Sequence, residues 1–164
     1  MARYPSAVKE CTYGKCLVAT KDLQEGIAVQ KFEGPIIKCD LRGATSIPEE
    51  VPEEEICYML IVDDFTILIP KSDARYMNHS CDPNCEIGND LVVRTTKPVA
   101  SGEELTFAYN IVKEGEDPGA WDPRWSFSCQ CGAPNCQGTV DKYVCEDGTP
   151  WHRPGDPAEI EDPR

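Results

Sequence analysis

The eleven residues Arg75-Tyr76-Met77-Asn78-His79-Ser80-Cys81-Asp82-Pro83-Asn84-Cys85 hold the densest chemistry in this chain. Neither a helical nor an alternating apolar period runs through them, and Pro83 breaks the stretch, so an irregular segment is expected. His79 and Cys81 stand two residues apart, which in an extended segment puts both side chains on one face. A thiol–imidazole nucleophilic pair is one reading. Such a pair needs its base separately oriented toward the thiol, and nothing in the segment supplies that. Cys81 therefore reads better as a metal ligand. An isolated Asn-His pair, such as Asn78-His79, is more often simply part of a turn.

Further along, Cys129-Gln130-Cys131-Gly132-Ala133-Pro134-Asn135-Cys136 has the pattern C-x-C-x4-C. Thiolates this close together on a turn can converge on one tetrahedral zinc ion, and Gly132 and Pro134 permit the bend. Three ligands do not close a structural site, so Cys129, Cys131 and Cys136 need a fourth. Cys81, Cys85, Cys145, Cys11, Cys16, Cys39 and Cys57 are all candidates at this level. A catalytic zinc is disfavoured, because the chain has only His79 and His152 and no histidine-rich set accompanies the cysteines.

Composition bounds the rest. A chain of 164 residues fits one domain with a modest core. Fourteen prolines and twelve glycines predict many turns and few long helices. Sixteen basic against 29 acidic residues give a net charge of -13. Direct nucleic-acid binding through a basic surface is therefore not expected, whereas attraction to Lys- and Arg-rich protein segments is. No run has the length of a signal peptide or a membrane span. The expectation is an intracellular protein with no membrane contact and with reduced thiols, for which clustered cysteines mean metal. The sequon Asn78-His79-Ser80 is then accidental.

The strand signals are short. Gly14 to Ile37 reads as paired strands around a polar turn at Asp22 to Gly26. Pro48 to Glu55 is acidic and could start a short helix running into Tyr58. Ile67 to Pro70, Leu91 to Thr95 and Leu105 to Tyr109 are strands with strong β formers. Ile111 to Ser128 reads as a linker interleaved with Trp121, Trp125 and Phe127. After Val144 the composition is acidic and rich in Pro and Gly, as in a mobile tail.

Three blocks in order carry a resemblance. They are Arg75 to Asn84, the stretch Gly102-Glu103-Glu104-Leu105-Thr106-Phe107-Ala108-Tyr109-Asn110, and the cysteine run from Cys129 to Cys136. Together they resemble the SET-domain lysine methyltransferases. Gly14-Lys15-Cys16-Leu17, followed by Asp22 to Gly26, is similar to that family's first block. The resemblance spans roughly Tyr13 to Tyr143. It implies a β-rich α+β fold of several small twisted sheets, with the Asn78-His79 and Tyr109 segments threaded into a knot-like core. It divides the chain into a SET domain at residues 1–111, a linker and post-SET zinc module at 112–144, and an acidic tail at 145–164.

The same resemblance implies site roles. Tyr109 matches the catalytic tyrosine. Asn78 and His79 match residues that hold S-adenosyl-L-methionine, joined by Arg75 and by the backbone of Lys15, Cys16 and Leu17. Tyr58 and Phe107 line a channel for the target lysine, and Trp121, Trp125 and Phe127 could cover the adenine or the channel. Cys81 becomes the fourth ligand of a structural zinc, completing Cys129, Cys131 and Cys136. Phe107, where the family has Phe or Tyr, implies di- or trimethylation. The implied activity is protein-lysine N-methylation of histone tails by a monomer, nuclear if the source is eukaryotic and cytoplasmic otherwise. Two alternatives stay open, the second through two departures, Cys16 where many relatives have Gly and Ala108 where an acidic residue is common, and the first if the source lacks ordinary histones. The alternatives are a methyltransferase for a non-histone lysine and a catalytically silent module that binds basic peptides.

Overall fold

The computed structural model describes residues 4–12, 14–42, 47–116, 118, 121 and 123–152. Its strands, in chain order, are β1 (Ser6–Cys11), β2 (Gly14–Ala19), β3 (Ala28–Lys31), β4 (Ile36–Lys38), β5 (Leu60–Asp63), β6 (Thr66–Leu68), β7 (Asn78–His79), β8 (Cys85–Ile87), β9 (Val92–Thr95), β10 (Thr106–Phe107), β11 (Ile111–Val112), β12 (Phe127–Ser128), β13 (Thr139–Val140) and β14 (Val144–Cys145). They form six small sheets, of which two are three-stranded, β3-β9-β8 and β4-β6-β5. Helical structure among the described residues is limited to 3-10 turns at Glu53–Glu55, Asp73–Tyr76 and Pro123–Trp125. The β-rich architecture with little helix agrees with the composition. No described helix is long and apolar enough to cross a membrane.

Strand β6 shows how so short a chain builds two cores. Side chains alternate faces along a strand. Leu68 enters the main core with Leu17, Val29, Met77, Val93 and Leu105. Its neighbours Ile67 and Ile69 turn the other way into a second core with Leu41 and Val51. Gly34 lets the backbone close over this junction, because a Cβ there would lie 1.9 Å from the Ile69 carbonyl oxygen.

Local signals chose the wrong partners in two places. The strands of Gly14 to Ile37 do not pair with each other. Strand β2 pairs with β1 along its whole length, and β3 pairs with β9. The intervening turn is instead pinned by Leu23, whose backbone exchanges hydrogen bonds with Val99 at 2.7 and 3.0 Å. The expected helix at Pro48 to Glu55 shrinks to one 3-10 turn. Pro52 cannot donate a helical hydrogen bond, and three consecutive glutamates follow it. Two glutamate-anchored turns then carry the chain on, as Tyr58 and Met59 both donate to the Glu55 carbonyl at 3.0 Å.

The C-terminal part returns to the body. Strand β14 runs parallel to β11, and the Val144 amide donates to the Asn110 carbonyl at 2.9 Å. Residues 145–152 fold back on this strand: Val144 bridges Pro150, and the Trp151 amide donates to the Tyr143 carbonyl at 3.1 Å. The rest of the expected tail, residues 153–164, lies outside the described residues.

Candidate active site and cysteine cluster

The Asn78-His79 segment and the Tyr109 segment meet through the smallest sheet. Strand β7 runs parallel to β10, with Thr106 beside Asn78 and Phe107 beside His79. The Ser80 amide extends the pairing to the Phe107 carbonyl at 3.2 Å. A two-residue ladder is marginal alone, so side chains brace it. Asn84, buried at 6% exposure, donates to the Glu104 carbonyl at 2.8 Å and accepts the Thr106 amide at 2.9 Å.

Tyr109 is fixed from both ends. Its amide donates to His79 Nδ1 at 3.0 Å, and its hydroxyl donates to the carbonyl of the buried Met77. The residue as a whole is 42% exposed, yet the hydroxyl sits against an interior carbonyl. Burial of that hydroxyl, followed by the Glu104 carboxylate, raises its pKa above the ordinary tyrosine range. Rings surround it: Phe107 at 4.9 Å, His79 at 5.3 Å and Phe127 at 6.0 Å between centroids. Phe107 in turn meets Phe32 edge-on at 5.7 Å. An aromatic column thus runs from the main core to the C-terminal module.

Burial pushes His79 down to about 4. A neutral ring suits its contacts. Nδ1 accepts from Tyr109, which assigns the proton to Nε2, and Nε2 lies 3.4 Å from Cys81 Sγ.

Beside this column lies a polar patch. The Asn78 amide nitrogen reaches the Lys15 carbonyl at 3.3 Å and the Glu104 carboxylate at 2.8 Å. The Lys15 ammonium stands over the Tyr76 ring at 5.1 Å. Lys15, Cys16, Asn78 and His79 are therefore brought together. Leu17 is fully buried, and its carbonyl is already taken by the Leu105 amide at 2.8 Å. Arg75 borders this patch, 5.7 Å from the Tyr76 ring centroid. It donates to Glu55 at 3.1 Å and stacks over Tyr58 at 4.2 Å. Tyr58 and Cys57 both lie close enough to Tyr109 to weigh on its ionisation. Of the three aromatic residues expected to cover the site, only Phe127 touches it, at 5.6 Å from His79. Trp121 packs edge-on against Trp125 and Tyr143 instead.

Cys81, Cys129, Cys131 and Cys136 converge, their sulfurs all within 4.8 Å of one another. Cys81 and Cys129 are 3.8 Å apart. A tetrahedral ion with sulfur at about 2.3 Å sets its ligands about 3.8 Å apart, so the donor set fits such an ion. Gly132, at φ +73°, makes the turn between Cys131 and Cys136. Burial raises Cys81 and holds Cys129 up at about 12. At Cys131 burial acts the same way but is outweighed by backbone hydrogen bonds from Cys81 and Ala133, which bring the thiol to about 6. One thiolate forms readily, whereas Cys81 and Cys129 need a cation to offset their charge. His79 Nε2–H against Cys81 is the kind of outer partner that orients a ligand. Asn135 adds a clasp, donating to the Cys81 carbonyl at 2.9 Å.

Three residues stand out here that sequence reading did not single out. Asn84 braces the β7–β10 pair and Glu104 holds Asn78. Asn110, 1% exposed, donates to the Lys142 carbonyl at 2.9 Å and ties the module to the residue after Tyr109. Their signal was weak, since a polar residue in a turn-rich stretch normally faces water.

Comparison with known proteins agrees with this geometry. The model of the SET domain family matches residues 14–110. A histone-lysine N-methyltransferase of Gibberella zeae, H3 lysine-36 specific, is 32% identical over 145 residues, which is 82% of this chain and 15% of that protein. An H3 lysine-4 specific histone-lysine N-methyltransferase of Saccharomyces cerevisiae is 34% identical over 94 residues, 51% of this chain and 8% of that protein. Human histone-lysine N-methyltransferase 2D is 29% identical over 136 residues, 76% of this chain and 2% of that protein. The chain thus spans a small fraction of the length of these relatives. The family match covers more than half of the sequence and includes the segments that bring Lys15, Asn78, His79 and Tyr109 together, so the chain belongs to the SET-domain family.

Proposed function

We propose that this chain is an S-adenosylmethionine-dependent protein-lysine N-methyltransferase that acts on histone tails, with Tyr109 as the catalytic residue. One observation carries the reading: the β7–β10 pairing sets the Tyr109 hydroxyl and the Asn78-His79 segment side by side in an aromatic surround. The relatives bearing histone-lysine methyltransferase names support the same chemistry.

The polar patch suits the cofactor. A cationic, heteroaromatic ligand with an amino-acid end needs donors, acceptors and a flat apolar face. The Lys15 carbonyl, Asn78 amide, Glu104 carboxylate and Tyr76 ring provide them. When bound, S-adenosylmethionine supplies the electrophilic methyl group. The backbone of Lys15 and Cys16 and the side chain of Asn78 would hold it.

The acceptor lysine must arrive neutral, although a free lysine titrates near about 10.4. Phe107, Phe127 and Tyr58 desolvate the approach and so disfavour the ammonium form. Tyr109 keeps its proton, because burial raises its pKa. Its hydroxyl, already donating to Met77, offers lone pairs to orient the amine rather than acting as a base. Phe107 in place of a tyrosine leaves the end of the channel without an extra hydroxyl, which supports di- or trimethylation.

We assign zinc to Cys81, Cys129, Cys131 and Cys136, with residues up to about Ile111 as the SET domain and the following segment through β14 as a post-SET module. Zinc there would clasp the module, and with it Phe127, over the site. The test is radiolabelled methyl transfer onto core histones and onto whole-cell protein, with Tyr109→Phe as control. Transfer to histones that is lost in the variant is expected. Cofactor binding with no transfer to any protein would instead identify a silent module, and transfer only to non-histone protein would replace the substrate.

A further inference from the structure

Cys11 and Cys16 take no part in the clasp. In the β1–β2 register Cys11 faces Gly14, and Cys16 faces Lys9. The two cysteines are therefore diagonal neighbours on one face of the hairpin. Glu104 reaches the same point from the strand that leads into β10. The two sulfurs and a Glu104 carboxylate oxygen all lie within 4.8 Å of one another. Cys16 is 4% exposed, whereas Cys11 and Glu104 are half-buried.

A disulfide fits this arrangement poorly. Diagonal positions on a hairpin hold their Cβ atoms several ångströms apart, about 7–8 Å or somewhat less, and a disulfide needs about 3.5–4.5 Å. A metal ion fits better. With sulfur at about 2.3 Å and carboxylate oxygen at about 2.0–2.2 Å, a tetrahedral ion sets such donors about 3.6–3.8 Å apart, a spacing that small rotations reach from donors within 4.8 Å of one another. Two sulfurs and one oxygen select a thiophilic cation over magnesium or calcium. Glu104 also accepts the Asn78 amide, so a cation on its carboxylate draws on the group that holds Asn78.

We propose that Cys11, Cys16 and Glu104 form a second cation site, three-coordinate from the protein and open at the fourth position, for zinc or cadmium. The site shares no ligand with the four-cysteine cluster. It touches the polar patch twice, through Glu104 to Asn78 and through Cys16 to the adjoining Lys15. On the reading given under Proposed function, a cation there competes with Asn78 for Glu104 and weakens cofactor binding. Occupancy makes the enzyme sensitive to free zinc.

The test titrates the full chain, already loaded with one equivalent of zinc, with cadmium. Metal per protein and thiolate-to-cadmium absorption are followed. A second equivalent with a two-thiolate signature is expected. Cys11→Ser and Glu104→Gln should each weaken that equivalent by at least about tenfold, the smaller end of the loss seen on removing even an outer partner. Neither should displace the first. Circular dichroism identifies a variant that fails to fold, and the other then carries the comparison. Binding of one equivalent only, or a second equivalent indifferent to the folded variants, overturns the proposal. Methyl transfer is measured separately with and without added zinc. No transfer under any condition, with the second equivalent still present, rejects the functional reading and leaves the site standing. Transfer that ignores zinc while the site fills rejects the competition for Glu104.

Discussion

Replacing Asn84 with alanine tests how the β7–β10 pair is held. The side chain makes two bonds to main-chain groups of the Glu104–Thr106 segment, at 2.8 and 2.9 Å, from a position 6% exposed. Each bond contributes about 1 kcal/mol net, and a buried group left without a partner costs about 1–3 kcal/mol. If water reaches one of the two orphaned groups, the loss is about 3 kcal/mol. For a chain of this size each kcal/mol lowers Tm by about 2–4 °C, so a fall of about 6–12 °C is expected by calorimetry. Asn84→Asp separates bonding from packing. Its carboxylate still accepts the Thr106 amide but faces the Glu104 carbonyl with a second acceptor. It should be no more stable than the alanine variant near neutral pH and should recover on acidification, when the acid can donate again. Methyl transfer measured well below both melting temperatures should also fall, because Thr106 opens the strand that delivers Tyr109. An alanine variant melting within about 2 °C of the parent would refute the reasoning.

Other outcomes follow from the same geometry. Cys136→Ser, or zinc removal by a chelator, should reduce cofactor binding and activity more than it reduces folding of the β core. Calorimetry that instead finds the whole chain lost in one transition would place the metal in the global core. Glu55 is held below the usual carboxylate range by its hydrogen bond to Lys71 and then by Arg75. A depressed folded pKa gives stability that is present above the unfolded value, about 4.3, and lost as pH falls through the folded one. Glu55→Gln should therefore flatten the acid limb of a stability–pH profile. The reasoning fails if both proteins lose stability in parallel below about pH 4.5. Phe107→Tyr should shift products toward monomethyl-lysine by mass spectrometry, and an unchanged distribution would remove Phe107 from control of product.

Much of this site was legible because its chemistry is written in contiguous blocks. Asn78, His79 and Cys81 share one segment, and Tyr109 lies at the end of another. Cys129, Cys131 and Cys136 announce themselves by spacing. The pairing of these blocks was not legible. Strands β7 and β10 are two residues each and have no period to detect, and their parallel alignment depends on Asn84, whose neighbours Pro83 and Cys85 suggest a turn. The partner of β2 was hidden for a different reason. Leu17, Val18 and Ala19 are all buried, so the strand lacks the alternation that marks a half-exposed hairpin. Arg75, expected at the cofactor from its place in the block, is bonded to Glu55 and packs over both Tyr58 and Tyr76, contacts that the motif does not spell out.

The parallel β11–β14 pair has a consequence for synthesis. Asn110, next to Tyr109, finds partners at Gln137, Lys142 and Val144. A nascent chain can bury the main core once Leu105 has emerged, but it cannot finish the surroundings of Tyr109 until the last strand has been made. A product cut short within the cysteine module should retain a folded β body and lack the module's contacts to Cys81, His79 and Asn110, which on the function proposed above would leave it inactive.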